Sequence, residues 1–224
     1  MLSYIITYSL MMFCYSLFFI AVSTGAKNGS GQLKDILAGK GEADILFIRL
    51  IAGIFFLGLG TIVLFEKRKP DADIFAFDWN WSPLVWILIT AAIVIGISSA
   101  LKKINSPNNS IHSLPPHFPL SFILTRTLFL IVYEFFFRGV MLFIMVEDMN
   151  VRFAITFNLI FYALVHWFDK QERYGSLVMG IILCSITIHY HSVWPAIIIH
   201  LSLALSNEIT LLIKHKSLIK KSFV

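Results

Sequence analysis

Apolar runs of about 20 residues alternate with short polar stretches along almost the whole chain. That is the pattern of a polytopic membrane protein, because about 20 apolar residues are needed to cross the hydrocarbon core. Seven stretches read as spans: residues 3–24, 45–66, 82–100, 119–146, 151–168, 174–190 and 193–213. The sixth is the weakest, being short and closed by the polar run His189, Tyr190, His191 and Ser192. The expected fold is therefore all-α, a bundle of about seven transmembrane helices.

The polar stretches differ in kind. Residues 25–44 carry Gly25, Gly29, Gly31, Gly39 and Gly41 and read as a loop. Residues 67–81 interleave Asp71, Asp73 and Asp78 with Phe75, Phe77, Trp79 and Trp81, as an interfacial aromatic belt does. Their acidic spacing is too irregular for a calcium loop. Residues 101–118 join Lys102-Lys103 to Ser106-Pro107-Asn108-Asn109-Ser110 and Pro115-Pro116, a turn-rich linker. It divides the chain into N-terminal membrane helices with the linker, 1–118, and a C-terminal core, 119–224, that ends in a basic tail. No internal repeat stands out. Ala21-Val22-Ser23 offers small residues near the end of the first span, yet no basic n-region precedes it and its apolar run is longer than an h-region. It reads as a membrane anchor.

Composition agrees with this pattern. The chain is 58% hydrophobic and only 14% charged, against about 25% charged residues in soluble domains, and its mean hydropathy is +0.80. The net charge of +5 is no nucleic-acid signal, since most of it lies in loops and in the tail Lys214, Lys216, Lys220 and Lys221. With the C-terminus inside, the inner loops and tail hold eleven cations: Lys27, Lys34, Lys40, Lys102, Lys103, Lys170, Arg173 and the four tail lysines. The outer loops hold four, Lys67, Arg68, Lys69 and Arg152. This asymmetry favours N-out, C-in. Cys14 and Cys184 fall inside spans and read as reduced packing residues, not a disulfide.

Against this apolar background the fourth span contains Glu134 and Arg138. A charge at bilayer depth is costly unless it is paired or faces a cavity, so such residues are site candidates by default. Spaced i,i+4, the two stack one turn apart on one helix face. Arg126 shares that broad face, while Tyr133 points about 100° away from Glu134. On the fifth span Tyr162 and His166 repeat the i,i+4 spacing. On the seventh, His200 follows Trp194-Pro195, and Asn207 lies two turns further on. A carboxylate with two imidazoles suits general-base hydrolysis. The same groups are conceivable zinc ligands. Zinc is not favoured, because Arg138 competes for the carboxylate and no His-Glu-x-x-His pairing is present, so no cofactor is expected. Neither a Gly-x-Ser-x-Gly serine nor a cysteine beside a histidine is present.

Three segments, Tyr133-Glu134-Phe135-Phe136-Phe137-Arg138-Gly139, Tyr162-Ala163-Leu164-Val165-His166 and Trp194-Pro195-Ala196-Ile197-Ile198-Ile199-His200, resemble a known family. It is the CPBP family, the CAAX-protease and bacteriocin-processing membrane proteins also called Abi. Its patterns are Glu-Glu-x-x-x-Arg, Phe-x-x-x-His and His-x-x-x-Asn, in that order on successive helices, and Tyr174 to Gly180 is similar to the segment between the last two. The resemblance covers about residues 119–210. It implies a CAAX-protease-like helical bundle in a bacterial plasma membrane and a glutamate-type intramembrane endopeptidase. It also implies that Glu134 is the second acidic residue, Arg138 the positioning arginine, His166 the histidine that assists the water-activating glutamate, and His200 an oxyanion support. Two positions depart from the pattern. Tyr133 stands where the family has its first, water-activating Glu, and Ala204 where it has Asn; Tyr162 also replaces the usual Phe. A phenol with a reference pKa near 10 is a poor base at neutral pH, and alanine donates nothing to an oxyanion.

Three functions fit these residues. The first is an active intramembrane peptidase using Glu134, His166 and His200. The second is a degenerate relative that binds a peptide or membrane-protein partner without cleaving it. The third is a proton-coupled transporter, which requires a polar path to both faces that no other span supplies. The partners expected are the lipid bilayer and a peptide or membrane protein, with no nucleic acid.

Overall fold

The computed structural model describes residues 2–27, 32–77, 81–104, 114–167 and 170–222. Every predicted span is a helix: α1 is Leu2–Lys27, α3 Ala43–Arg68, α4 Pro83–Ile104, α7 Val151–Val165, α8 Lys170–Tyr190 and α9 Trp194–Ser222. The fourth span is continuous from Phe118 to Asp148 but has three parts, with α5 (Phe118–Glu134) and α6 (Leu142–Asp148) separated by a π-helical turn over Phe135–Met141. Residues 105–113 of the linker, Asp78 and Trp79 of the aromatic segment, and Gly29 and Gly31 lie outside the described residues.

Among the described residues, five helices are long and apolar enough to cross a membrane: α1, α3, α4, α5 with α6, and α9. Helix α7, at 15 residues, rises only about 22 Å. Helices α4 and α9 run parallel. Phe77 touches both Trp81, just before α4, and Trp194, at the start of α9, and 13 residues past Pro83 in α4 Gly96 meets Leu203 and Asn207 of α9. Parallel α4 and α9 require that α7 and α8 either both cross or together form a hairpin on one side.

The stretch 25–44 is not loop throughout. A short helix, α2 (Leu33–Leu37), buries Leu33, Ile36 and Leu37 against the bundle. Residues 69–77 likewise form more than a surface belt. A 3-10 turn over Ala72–Phe75 straps this segment across one end of the bundle. Val193 N–H donates to the Ile74 carbonyl at 3.0 Å, and Trp194 Nε1 donates to the Phe75 carbonyl at 2.8 Å. Phe75 packs against Phe65 and Phe135 and fills the space over Gly139, where a Cβ would lie 2.8 Å from its ring. At its outer edge Asp71 meets His191 at 3.1 Å. The Asp73 N–H, and then His191, hold the Asp71 carboxyl below its usual range. Cys14 and Cys184 are both free and buried.

The bundle's core is continuous across the linker. Phe18 and Cys14 of α1 and Leu50 and Leu57 of α3 pack in one cluster with Phe136, Phe137 and Met141 of the fourth span. The π turn thus lies in the most protected part of the molecule.

Candidate functional site

The π turn begins directly after Glu134. In such a turn the helix takes in an extra residue, and Leu142 N–H bonds to the Phe137 carbonyl five residues back. That carbonyl also accepts a bond of 2.7 Å from Asn158 Nδ2 on α7. Asn158 Oδ1 in turn accepts from Cys184 Sγ of α8 at 3.4 Å. An amide and a thiol from two neighbouring helices therefore hold the widened turn. Asn158 was within reach of sequence reasoning as an isolated polar residue in an apolar span. Its target, a backbone carbonyl 21 residues earlier, was not.

Glu134, at the end of α5, and Arg138, within the turn, form the ion pair their spacing predicts. Arg138 Nη1 donates to Glu134 Oε1 at 3.4 Å, and Nε lies 3.3 Å from Oε2. Both side chains are 0% exposed. His200 reaches in from α9, its Nδ1 2.6 Å from Glu134 Oε1. Below them the guanidinium lies over the Tyr162 ring, 4.0 Å from its centroid, a cation–π contact strengthened by desolvation. Two charges at bilayer depth are tolerable only when paired, and here the pairing is incomplete: Glu134 Oε2 and Arg138 Nε and Nη2 are buried without a hydrogen bond.

Tyr133, one residue earlier, faces elsewhere. Its ring packs among Phe129, Phe137, Tyr162 and His200, and its hydroxyl is buried with no hydrogen-bond partner. It lines a cavity of about 290 Å³ together with His166, His200 and Asn207. Glu134 and Arg138 are not among the described residues of its wall. His166, just past the end of α7, stacks near Tyr162 with ring centroids 5.4 Å apart. The outer part of the cavity is charged, with Lys34 and Asp35 of α2, Arg49 of α3, and Arg126 and Glu208. Arg126 does not join Glu134, whose helix face it shares. It donates to Glu208 on α9 at 3.0 Å, a partner that sequence analysis missed.

Asn207 serves two surfaces. It lines the cavity, and its Nδ2 donates to the Gly96 carbonyl of α4 at 3.1 Å. A Cβ at Gly96 would lie 2.5 Å from the Leu203 carbonyl, so glycine is what lets the two backbones meet there. Ala204 sits one turn past His200, partly buried against the core. The structure thus gathers Tyr133, Glu134, Arg138, Tyr162, His166 and His200 into one site, with Asn207 further along its wall. Chemically, the arrangement offers a partly open chamber of mixed polar and apolar lining, with Tyr133, His166 and His200 among its walls. The Glu134 carboxylate lies outside its wall, while Asp35 and Glu208 are among its lining residues.

Residues 80–206 match the protein-family model Rce1-like, described as type II CAAX prenyl endopeptidase Rce1-like. The match runs from just before α4 through Ser206, more than half of the chain, and takes in every site residue from Tyr133 to Ala204. No curated protein and no solved structure matches the chain.

Proposed function

The chain belongs to the Rce1-like family of CAAX-type membrane endopeptidases, and from that membership we propose that this member holds a peptide in its membrane-embedded cavity without cleaving it. One observation carries the reading. Where the resemblance places the water-activating glutamate, Tyr133 lines the cavity, while Glu134 lies outside its wall, engaged by Arg138 and His200. A phenol with a reference pKa near 10 is protonated at neutral pH and takes no proton from water. The loss of an oxyanion donor at Ala204 alone is worth about 10²–10³ in rate. What is left, His166 and His200 beside aromatic walls, suits binding.

The reading involves no metal, since both oxygens of Glu134 already face Arg138 or His200. Elemental analysis of the purified protein is expected to find no stoichiometric zinc, and EDTA is expected to leave peptide retention unchanged. Stoichiometric zinc lost together with binding would contradict this.

The test is a cleavage assay on a prenylated CAAX peptide followed by mass spectrometry. The wild type is expected to return the peptide intact, and Tyr133→Glu combined with Ala204→Asn to produce detectable hydrolysis. A wild type that cleaves, and stops cleaving on Glu134→Ala, overturns the proposal in favour of an active peptidase.

A further inference from the structure

The fourth span carries two arginines with opposite surroundings. Arg138 is fully buried, and its Nε and Nη2 are sealed from the cavity. Arg126 lines the cavity, and its side chain is 21% exposed. That exposure is to the cavity and not to lipid. Leu120, Leu124 and Leu128 form the exposed row of α5, and at 100° per residue Arg126 points about 160° away from it. The bond to Glu208, 3.0 Å long, uses Nε alone. No atom of Arg126 is among the polar atoms buried without a hydrogen bond, so the Nη groups present their N–H donors at the wall. The Phe129 ring, 5.4 Å from the guanidinium carbon, braces the group from one side. Among the described residues of the wall, Lys34, Arg49 and Arg126 are cationic and Asp35 and Glu208 are anionic. The lining therefore carries one positive charge in excess.

We propose that Arg126 is the subsite for the C-terminal carboxylate of the peptide held in the cavity. The inference rests on the peptide-holding reading above and adds the register in which the peptide lies. A carboxylate offers two oxygens to the N–H groups of a guanidinium, a charge-assisted contact of the strong kind. It also balances the excess charge of the lining, and at bilayer depth it requires such a partner. The spacing along α5 fits a peptide end. Arg126 and Tyr133 lie seven residues apart on nearly one face, about 10 Å along the helix axis. Three residues of extended chain cover about the same length. A terminus held at Arg126 thus brings the fourth residue from the end level with Tyr133, beside His166 and His200. An internal segment of a longer chain brings no carboxylate, so the site selects free C-termini.

The experiment uses the full chain reconstituted in nanodiscs of a zwitterionic lipid. Two fluorescent prenylated CAAX tetrapeptides are compared, one ending in a free acid and the other in a primary amide. The wild type is expected to bind the acid about tenfold more tightly than the amide. Arg126→Gln is expected to bind the acid only as tightly as the amide. Glu208→Gln, which removes a competing carboxylate and keeps the arginine, is expected to preserve the preference for the acid. Equal affinity of the wild type for acid and amide overturns the inference while the peptide-holding reading stands, and that comparison needs no variant to fold. A preference for the acid that survives in Arg126→Gln overturns the assignment to Arg126. A wild type that shows no saturable binding of either peptide overturns the peptide-holding reading, and this inference with it.

Discussion

Two adjacent side chains divide the work of the site: Glu134 organises its interior, and Tyr133 presents its surface. Glu134 is legible in the sequence because a carboxylate inside an apolar run has to be compensated, and i,i+4 spacing names Arg138 as the partner. The second partner, His200, follows only from the order of the motifs, since 66 residues separate it from Glu134. The ion pair belongs to the class that is strongly destabilising to break from one side. Arg138→Met, which leaves Glu134 buried and unpaired, is expected to cost about 3–5 kcal/mol, and the double change with Glu134→Gln less. Thermal unfolding in detergent checks this, and a double variant that is no more stable than Arg138→Met contradicts it. Arg126 teaches the opposite lesson. Its helix face, shared with Glu134 and Arg138, named no partner for it, and the bundle gives it Glu208 on α9.

At the scale of elements, apolar runs located the long helices, and what they missed was the short helix α2 and the departures from regular helix. The π turn lies where the wheel projection assumed an even 100° per residue. It exists because Asn158 holds the Phe137 carbonyl from α7, a tertiary cause with no local signature. Asn158→Leu is expected to lower stability by about 1–3 kcal/mol and to change amide exchange across residues 135–141; unchanged exchange there would contradict its part in holding the turn. The strap was missed for a related reason. Its aromatic residues suit an interface, but Phe75 is taken into the bundle by Trp194, Phe135 and Gly139. Because the folded Asp71 has a lowered pKa, its contribution is present above its unfolded pKa, about 3.9, and is lost as pH falls through the lower folded value. Protection of the amides of residues 71–76, relative to their intrinsic exchange rates, should therefore fall as pH drops below about 4 in the wild type and lose this dependence in Asp71→Asn. An identical pH response in the variant contradicts it.

As a whole molecule the protein is a helical membrane bundle whose two sides of the linker share one core, and whose family match begins with α4, ahead of the linker. The uneven distribution of Lys and Arg leads to a topological prediction: a C-terminal reporter is expected on the cytoplasmic side and an N-terminal one outside, and the reverse labelling contradicts it. The parallel course of α4 and α9 adds that α7 and α8 cross together or not at all. Family and fold were legible because membrane helices advertise themselves and the three motifs keep their order. Whether the site turns over was not, because that depends on which of two neighbouring residues faces the cavity. The measurement that bears most directly on this is binding and turnover of a prenylated CAAX peptide, followed on one reconstituted sample of the unaltered protein. The peptide is expected to bind saturably and to be recovered uncleaved after prolonged incubation; multiple turnovers per protein molecule would contradict the account.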